Sequence, residues 1–276
     1  MKWRLIKLDK IINYYSRFDE WGRLEREPIE FQVNWHFIKK HLPPSGHILD
    51  NGAGPGRYAL KLAESGYELT LTDLTPQLVE KAKEKALERQ VYDAFHDFHV
   101  ADARNLQCCF DEQFHAALML GPMYHLQKKQ DRIQAVRELY RVTKPGGTVF
   151  ISFMPRVQHV ISSLTSPERL KPNNTAKALH DFYESGCFDH AEEGRFTHAY
   201  YANIEDIIPF LKKHGFQYIE LIASNVASSV NSEEWTYWKE KSPEEMDSIV
   251  QLLIQQASSS YHLGLSSHLL YIGRKY

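Results

Sequence analysis

Leu8, Ile11, Ile12 and Tyr15 recur at helical intervals, which predicts a first helix ending near the polar residues 16–20. Pro28 opens a second helix with Phe31, Trp35, Ile38 and Leu42 on one face, and residues 43–46, Pro-Pro-Ser-Gly, stop it. The pattern then shortens to apolar runs with polar bounds, the mark of buried strands, at 47–50, 68–72, 99–101, 114–120 and 148–153. Helical spacing separates them. Residues 57–65 carry Leu60, Leu62 and Ala63 and end at Gly66, and Pro76 starts a helix with Thr75 as N-cap and Leu78, Val79, Ala82 and Ala86 facing inward. Strands alternating with helices predict βαβ units with right-handed crossovers, hence a doubly wound α/β sheet covered on both faces.

From 155 to about 201 this alternation dissolves into a polar stretch rich in Ser, His and Glu, too long for a simple connection in a compact domain. It is expected to be an inserted cap. A helix at 204–213, a strand at 216–223, a helix at 243–256 and a strand at 269–272 resume the fold. The expectation is one Rossmann-like domain over 1–276 with a mostly parallel seven-stranded sheet. Its parts are N-terminal helices at 1–45, a core at 46–154, the cap at 155–201 and the rest of the sheet at 202–276.

Composition changes this picture little. The 276 residues are 43% hydrophobic and 25% charged with a net charge of -2, which suits a soluble globular protein and disfavours a dedicated nucleic-acid binder. The first residues lack a signal-peptide apolar region, and no stretch has the length of a membrane span, so a cytoplasmic protein is expected. Cys108 and Cys109 are adjacent and Cys187 stands alone, which excludes a disulfide framework and leaves reduced thiols, read as buried small hydrophobes rather than a catalytic thiol. His96, His99, His159, His180, His190 and His198 form no ligand set, and neither H-E-x-x-H nor C-x-x-C occurs, so no metal is expected.

In a doubly wound sheet, ligands bind beyond the carboxyl ends of the strands. There the chain places Asp50-Asn51-Gly52-Ala53-Gly54-Pro55-Gly56, whose glycines permit a sharp turn and whose N–H groups are expected to face a ligand. A dinucleotide fingerprint starting at Gly52 needs Gly or Ala at position 57; Arg57 excludes it. The loop instead resembles the D-x-G-x-G-x-G signature of class I S-adenosylmethionine-dependent methyltransferases. The resemblance continues in Leu69-Thr70-Leu71-Thr72-Asp73, Ala101-Asp102-Ala103, Phe114-His115-Ala116-Ala117-Leu118 and the Arg141-Val142-Thr143-Lys144-Pro145-Gly146-Gly147 segment, covering about 50–153 in the family's order. His115 stands where the family usually has Asp.

The resemblance implies S-adenosyl-L-methionine as cofactor, bound by Asp50, Gly52, Ala53, Gly54 and Gly56, by Asp73 and Leu74 at the ribose, by Asp102 and Ala103 at the adenine, and by Leu120 and Gly121 beside the methyl. Leu120-Gly121-Pro122-Met123-Tyr124-His125-Leu126 is similar to a stretch of the UbiE-like small-molecule branch, which implies a small-molecule acceptor; amino-methylating Asn-Pro-Pro-Tyr-like motifs are absent there. His125 is the candidate general base, against a structural histidine capping the next helix. The N-terminal helices of the family close over the cofactor as a lid, which points to Tyr15 and Arg23, with Tyr14 and Arg26 as alternatives. Tyr200, Tyr201, Trp235 and Trp238 are candidate acceptor contacts or core. Two other functions stay open: a non-catalytic binder of the cofactor, for which His115 and the atypical cap speak, and an RNA methyltransferase.

Overall fold

Neighbouring residues of each central strand part company, one to each face of the sheet. Ile48, Ala116, Leu118, Phe150 and Ile272 join one buried cluster, and Leu49, Ala117, Met119, Ile151 and Tyr271 join another. This period-two alternation of uniformly apolar runs is what a sheet covered on both sides requires. The computed structural model describes residues 11–16, 18–19, 21–22, 28–192, 195–225 and 232–276.

Helix α1 (Pro28–His41), strand β1 (His47–Asn51), helix α2 (Arg57–Glu64), strand β2 (Glu68–Asp73), helix α3 (Pro76–Glu88) and strand β3 (Phe95–Val100) form the first half. Strand β4 (Phe114–Met119), helix α4 (Lys129–Val142) and strand β5 (Thr143–Pro155) follow. The cap holds α5 (Arg156–Thr165), α6 (Ala176–Ser185), β6 (Cys187–Phe188) and β7 (Ala199–Ala202). The chain ends with α7 (Ile204–Lys213), β8 (Phe216–Ala223), α8 (Ser232–Lys239), α9 (Pro243–Gln256), α10 (Ser260–Leu265) and β9 (Leu269–Lys275).

The main sheet has seven strands in the order β3-β2-β1-β4-β5-β9-β8, parallel except for β9, which runs antiparallel to both β5 and β8. Strand order reverses between β1 and β4, the switch point where a doubly wound sheet opens a crevice. One face is covered by α1, α2, α3 and α9, whose Val33, Ile38, Leu60, Val79 and Val250 share a cluster. The other face is covered by α4 and α7 through Val136, Leu139, Ile207 and Leu211. No helix of the described residues is long and apolar enough to cross a membrane.

Three details differ from the sequence expectation. Strand β3 begins at Phe95 rather than 99, because it is an edge strand whose apolar Phe95 and Phe98 flank the exposed His96 and Asp97. The Pro145-Gly146-Gly147 turn lies inside β5 as an irregularity, with Thr143 already paired to Phe114 and Thr148 to Ala116. Thr75 occupies the N-cap position of α3, but its side chain accepts no hydrogen bond from the helix; its N–H binds Asp73 Oδ1 at 2.8 Å.

The stretch at 155–201 is a structured cap, not a loose connection. Strand β5 runs beyond the main sheet so that Met154 and Pro155 pair in parallel with Tyr201 and Ala202 of β7, and β6 adds an antiparallel hairpin. Its core gathers Met154, Phe182, Phe188 and Ala199. Buried Arg156 ties the layers, donating to the Tyr183 and Tyr201 carbonyls.

Candidate active site

The Asp50–Gly56 loop holds its shape through its own amides. The N–H groups of Gly52 and Ala53 bind the Thr72 carbonyl at 2.8 and 3.1 Å, Gly54 N–H binds Asp73 Oδ2 at 2.8 Å, and Gly56 N–H binds the Ala53 carbonyl at 3.1 Å. This corrects the expectation that the loop aims these donors at a ligand: they lock it to the end of β2. Glycine is required for two reasons. Gly52 has φ +72°, and a Cβ there would lie 2.5 Å from the Pro122 ring, so the loop can press against the β4 turn only without a side chain. Gly56 (φ +83°) faces Ala82 and Leu71 rather than the cavity, which moves it from the expected cofactor contacts to the packing of α2 on α3.

A cavity of about 900 Å³ opens at these strand ends. Asp50, Gly52, Ala53, Gly54, Asp73, Leu74, Asp102, Ala103, Leu120, Gly121, Tyr15 and His125 all line it. Arg23 and Arg26 lie outside the described residues. Asp73 uses each carboxylate oxygen to receive one backbone N–H, from Gly54 and Thr75, which fixes it at the end of β2. Asp102 is gripped by Arg104, whose guanidinium also reaches Asp131 Oδ2 at 2.9 Å. Buried Arg104 was not found by sequence reasoning, since two positions after Asp102 nothing marks it beyond its charge.

Asp50 is fully buried, and its Oδ2 accepts the Ala59 N–H at 3.1 Å. Burial raises its pKa to about 7, the nearby Asp73 charge adding to the rise and the Ala59 hydrogen bond opposing it. The site thus holds a proton that a bound cation would expel. Two further buried polar atoms here lack a hydrogen-bond partner among the described residues, Asn51 Nδ2 and Asn34 Oδ1, and both residues line the cavity. A buried orphan is costly unless a ligand satisfies it.

The other end of the cavity is built from distant segments. The Tyr15 hydroxyl shares a 2.7 Å hydrogen bond with His125 Nε2, joining the helical residues 11–16 to the turn after β4. Burial, reinforced by His198, lowers the His125 pKa to about 3, so the ring is neutral. His198, from the cap, also lines the cavity, and its backbone adopts φ +55°, a conformation rare outside glycine. Tyr124 and Glu30 complete this wall, with Glu30 paired to His268 at 3.1 Å.

The aromatic candidates lie elsewhere. Tyr200 lies under the Arg132 guanidinium at 3.4 Å, Tyr201 packs on His159 inside the cap, Trp235 packs on the main core, and Trp238 meets Tyr237 edge to face; none lines the cavity. His115 sits at the amino-terminal end of central strand β4, opposite the cavity, where Nδ1 accepts the His47 N–H at 3.0 Å and a Cβ on Gly46 would strike its ring. Its departure from Asp therefore says nothing about loss of chemistry.

Residues 48–147 match a family model described as a methyltransferase domain. The stretch is similar to that family. It contains the glycine loop, Asp73, Asp102 and the His125 turn, whereas Tyr15 and His198 fall outside it. The chain is 31% identical over 135 residues to the YqeM protein of Bacillus subtilis, with 49% of this chain and 51% of that one covered. It is 27% identical over 147 residues to a glycine/sarcosine N-methyltransferase of Aphanothece halophytica, covering 52% of this chain and 50% of that one. With a tRNA 5-carboxymethoxyuridine methyltransferase of Escherichia coli it shares 31% identity over 129 residues, covering 44% and 46%. The matches thus span about half the length of these relatives. A crystal structure of a SAM-dependent methyltransferase from Methanosarcina mazei superposes with a TM-score of 0.58 at 19% identity, covering 87% of this chain and 96% of that one, so the two chains share a fold.

Proposed function

We propose that the chain is an S-adenosylmethionine-dependent methyltransferase whose acceptor is a small molecule entering between the sheet edge and the cap. One observation carries this: a single cavity joins the rigid carboxylates Asp73 and Asp102 to a hydroxyl and imidazole cluster at Tyr15, His125 and His198. The residues present fit the cofactor. Asp73 offers two acceptor oxygens suited to adjacent ribose hydroxyls, Asp102 and Ala103 suit an adenine edge, and Asp50 suits an ammonium group. The UbiE-like stretch from Leu120 to Leu126 supports the small-molecule branch, and Gly121, pressed to 3.3 Å from the Gly52 carbonyl at its missing Cβ, leaves room beside the methyl.

Bound there, S-adenosylmethionine supplies a methyl on a sulfonium sulfur that leaves as a neutral thioether. The chain's own work is alignment and exclusion of water, which suffice for much of such a displacement. Arg132 steadies the reacting turn, donating to the Leu126 and Gln127 carbonyls at 2.7 Å.

Thermal melting with S-adenosylhomocysteine or NAD tests the cofactor: the first should raise Tm and the second should not. Incubating the protein with methyl-labelled cofactor and a metabolite extract, or with total tRNA, tests the acceptor. Label in small molecules supports this reading. Label in RNA replaces it with the second reading, which the tRNA-modifying relative favours, and binding without transfer to either marks a non-catalytic binder.

A further inference from the structure

His125 and His198 come from segments more than 70 positions apart, yet the cap places them side by side. His198 depresses the proton affinity of His125, and the carbonyl of Thr197, the preceding residue, acts on the same ring. Phe196 packs on His125 with centroids 5.1 Å apart. Each ring keeps one nitrogen, His125 Nδ1 and His198 Nε2, buried and without a hydrogen-bond partner among the described residues. The opposite nitrogens are well held: His125 Nε2 by the Tyr15 hydroxyl at 2.7 Å, and His198 Nδ1 by Asp189 Oδ1 at 3.0 Å.

Asp189 is built to keep its charge. Burial pushes its carboxyl up, but hydrogen bonds from His198 and Gln127 more than reverse this and hold it well below the usual carboxylate range. Its Oδ1 also receives the Thr197 hydroxyl and the His198 N–H, each at 2.9 Å, and Oδ2 receives Gln127 Nε2 at 3.0 Å. A carboxylate so placed fixes the imidazole tautomer, with the proton on Nδ1 and a lone pair on Nε2, and stabilises the imidazolium when a second proton arrives. His125 has no such counter-ion among the described residues. The left-handed backbone at His198 is maintained by the same Asp189 contacts, the kind of strain that persists where position matters.

We propose that Tyr15, His125, His198 and Asp189 form a relay that carries the acceptor's proton from the cavity to the cap, His198 being its terminal base. The proposal rests on the methyl-transfer reading above. As the acceptor's oxygen or nitrogen forms its bond to the methyl carbon, the carbon–sulfur electron pair departs with sulfur, and the acceptor's proton passes to the Tyr15 oxygen. Tyr15 hands its own proton to His125 Nε2, and His125 releases its Nδ1 proton to His198 Nε2 through one water in the cavity that both rings line. The imidazolium of His198 pairs with Asp189 until product leaves; the relay then runs back, His198 Nε2 returning a proton to His125 Nδ1 and His125 Nε2 one to Tyr15, whose extra proton passes to solvent in the opened cavity, which restores every starting tautomer. No oxidant or metal is needed, and His125 never holds the charge that its burial forbids. The acceptor class follows: a hydroxyl or neutral amine that must shed a proton as its bond to the methyl carbon forms, rather than a carboxylate or thioether.

The test uses the full chain with 15N-labelled histidine and saturating S-adenosylhomocysteine. Long-range 1H–15N spectra should show His198 protonated at Nδ1 and bare at Nε2 at high pH, then taking a proton on acidification while His125 stays neutral from pH 5 to 9. Observation of His198 protonated at Nε2, or of His125 titrating in its place, overturns the relay. Turnover with the labelled-extract product follows: His198→Asn should lower kcat about 100-fold or more with cofactor affinity intact, and Asp189→Asn should move the acidic limb of the pH–rate profile. Unchanged kcat and profile in folded variants overturn the relay while leaving methyl transfer standing. Failure of S-adenosylhomocysteine to bind removes the parent reading instead.

Discussion

The two ends of one cavity are made by different means. At the cofactor end, backbone amides and strand-end carboxylates within about one hundred consecutive residues lock one another, as the Gly54–Asp73 bond illustrates. At the end proposed for the acceptor, side chains from residues 11–16, from the turn after β4 and from the cap meet through side-chain contacts such as Tyr15 to His125 and Phe196 to His125. Local chain geometry builds the first and tertiary docking builds the second. The first should therefore tolerate few backbone changes, and the second should fail one side chain at a time.

The sharpest break of the first end is Gly52→Ala. With φ +72° and a Cβ position 2.5 Å from Pro122, strain and clash should weaken S-adenosylhomocysteine binding roughly 100-fold by calorimetry. Asp73→Ala comes next, releasing both Gly54 and Thr75 amides along with the proposed ribose contact, for a loss of roughly 10- to 100-fold. Unchanged affinity would remove Asp73 from the site.

Asp50→Asn should separate stability from binding. Because the folded carboxyl titrates near pH 7 and an unfolded one near 4, the folded state holds the extra proton between these values, and wild-type stability falls as pH rises through that window. The amide imitates the protonated form, so the variant should melt above the wild type at pH 8 and close to it at pH 4, by about 2–4 °C for each kcal/mol of relieved burial cost. It should also bind cofactor more weakly at pH 8, with less dependence on pH. His115→Asp carries the smallest effect. Although it restores the family's usual residue, its place at the amino-terminal end of β4, away from the cavity, should leave cofactor affinity within about twofold.

The contrast also explains what the sequence made legible. Strands such as β1, β4 and β5 send neighbouring residues to two apolar faces, so uninterrupted runs announced them, and the glycine loop announced its own turn. Edge strand β3 was shortened in the sequence reading because its polar side chains face solvent. The loop's glycines were legible, but the use of its amides was not, since that depends on where the end of β2 comes to rest. His198 and Asp189 carry no spacing signal: they meet because a hairpin returns the chain, and a histidine at φ +55° is indistinguishable in sequence from any other. Tyr200 and Trp238 looked like pocket residues by type alone, and packing decided otherwise.

The extension of β5 into the cap has a mechanical consequence. Since Met154 and Pro155 continue a central strand and pair directly with β7, the cap shares a backbone beam with the sheet and cannot swing independently of it. The segment bearing Ile11 and Tyr15 meets the cavity through side chains. On the proposed reading, an acceptor would enter where residues 11–16 line the cavity. Amide hydrogen exchange should find β7 as slow as the end of β5, and residues 11–16 far faster, with cofactor and acceptor together closing that gap.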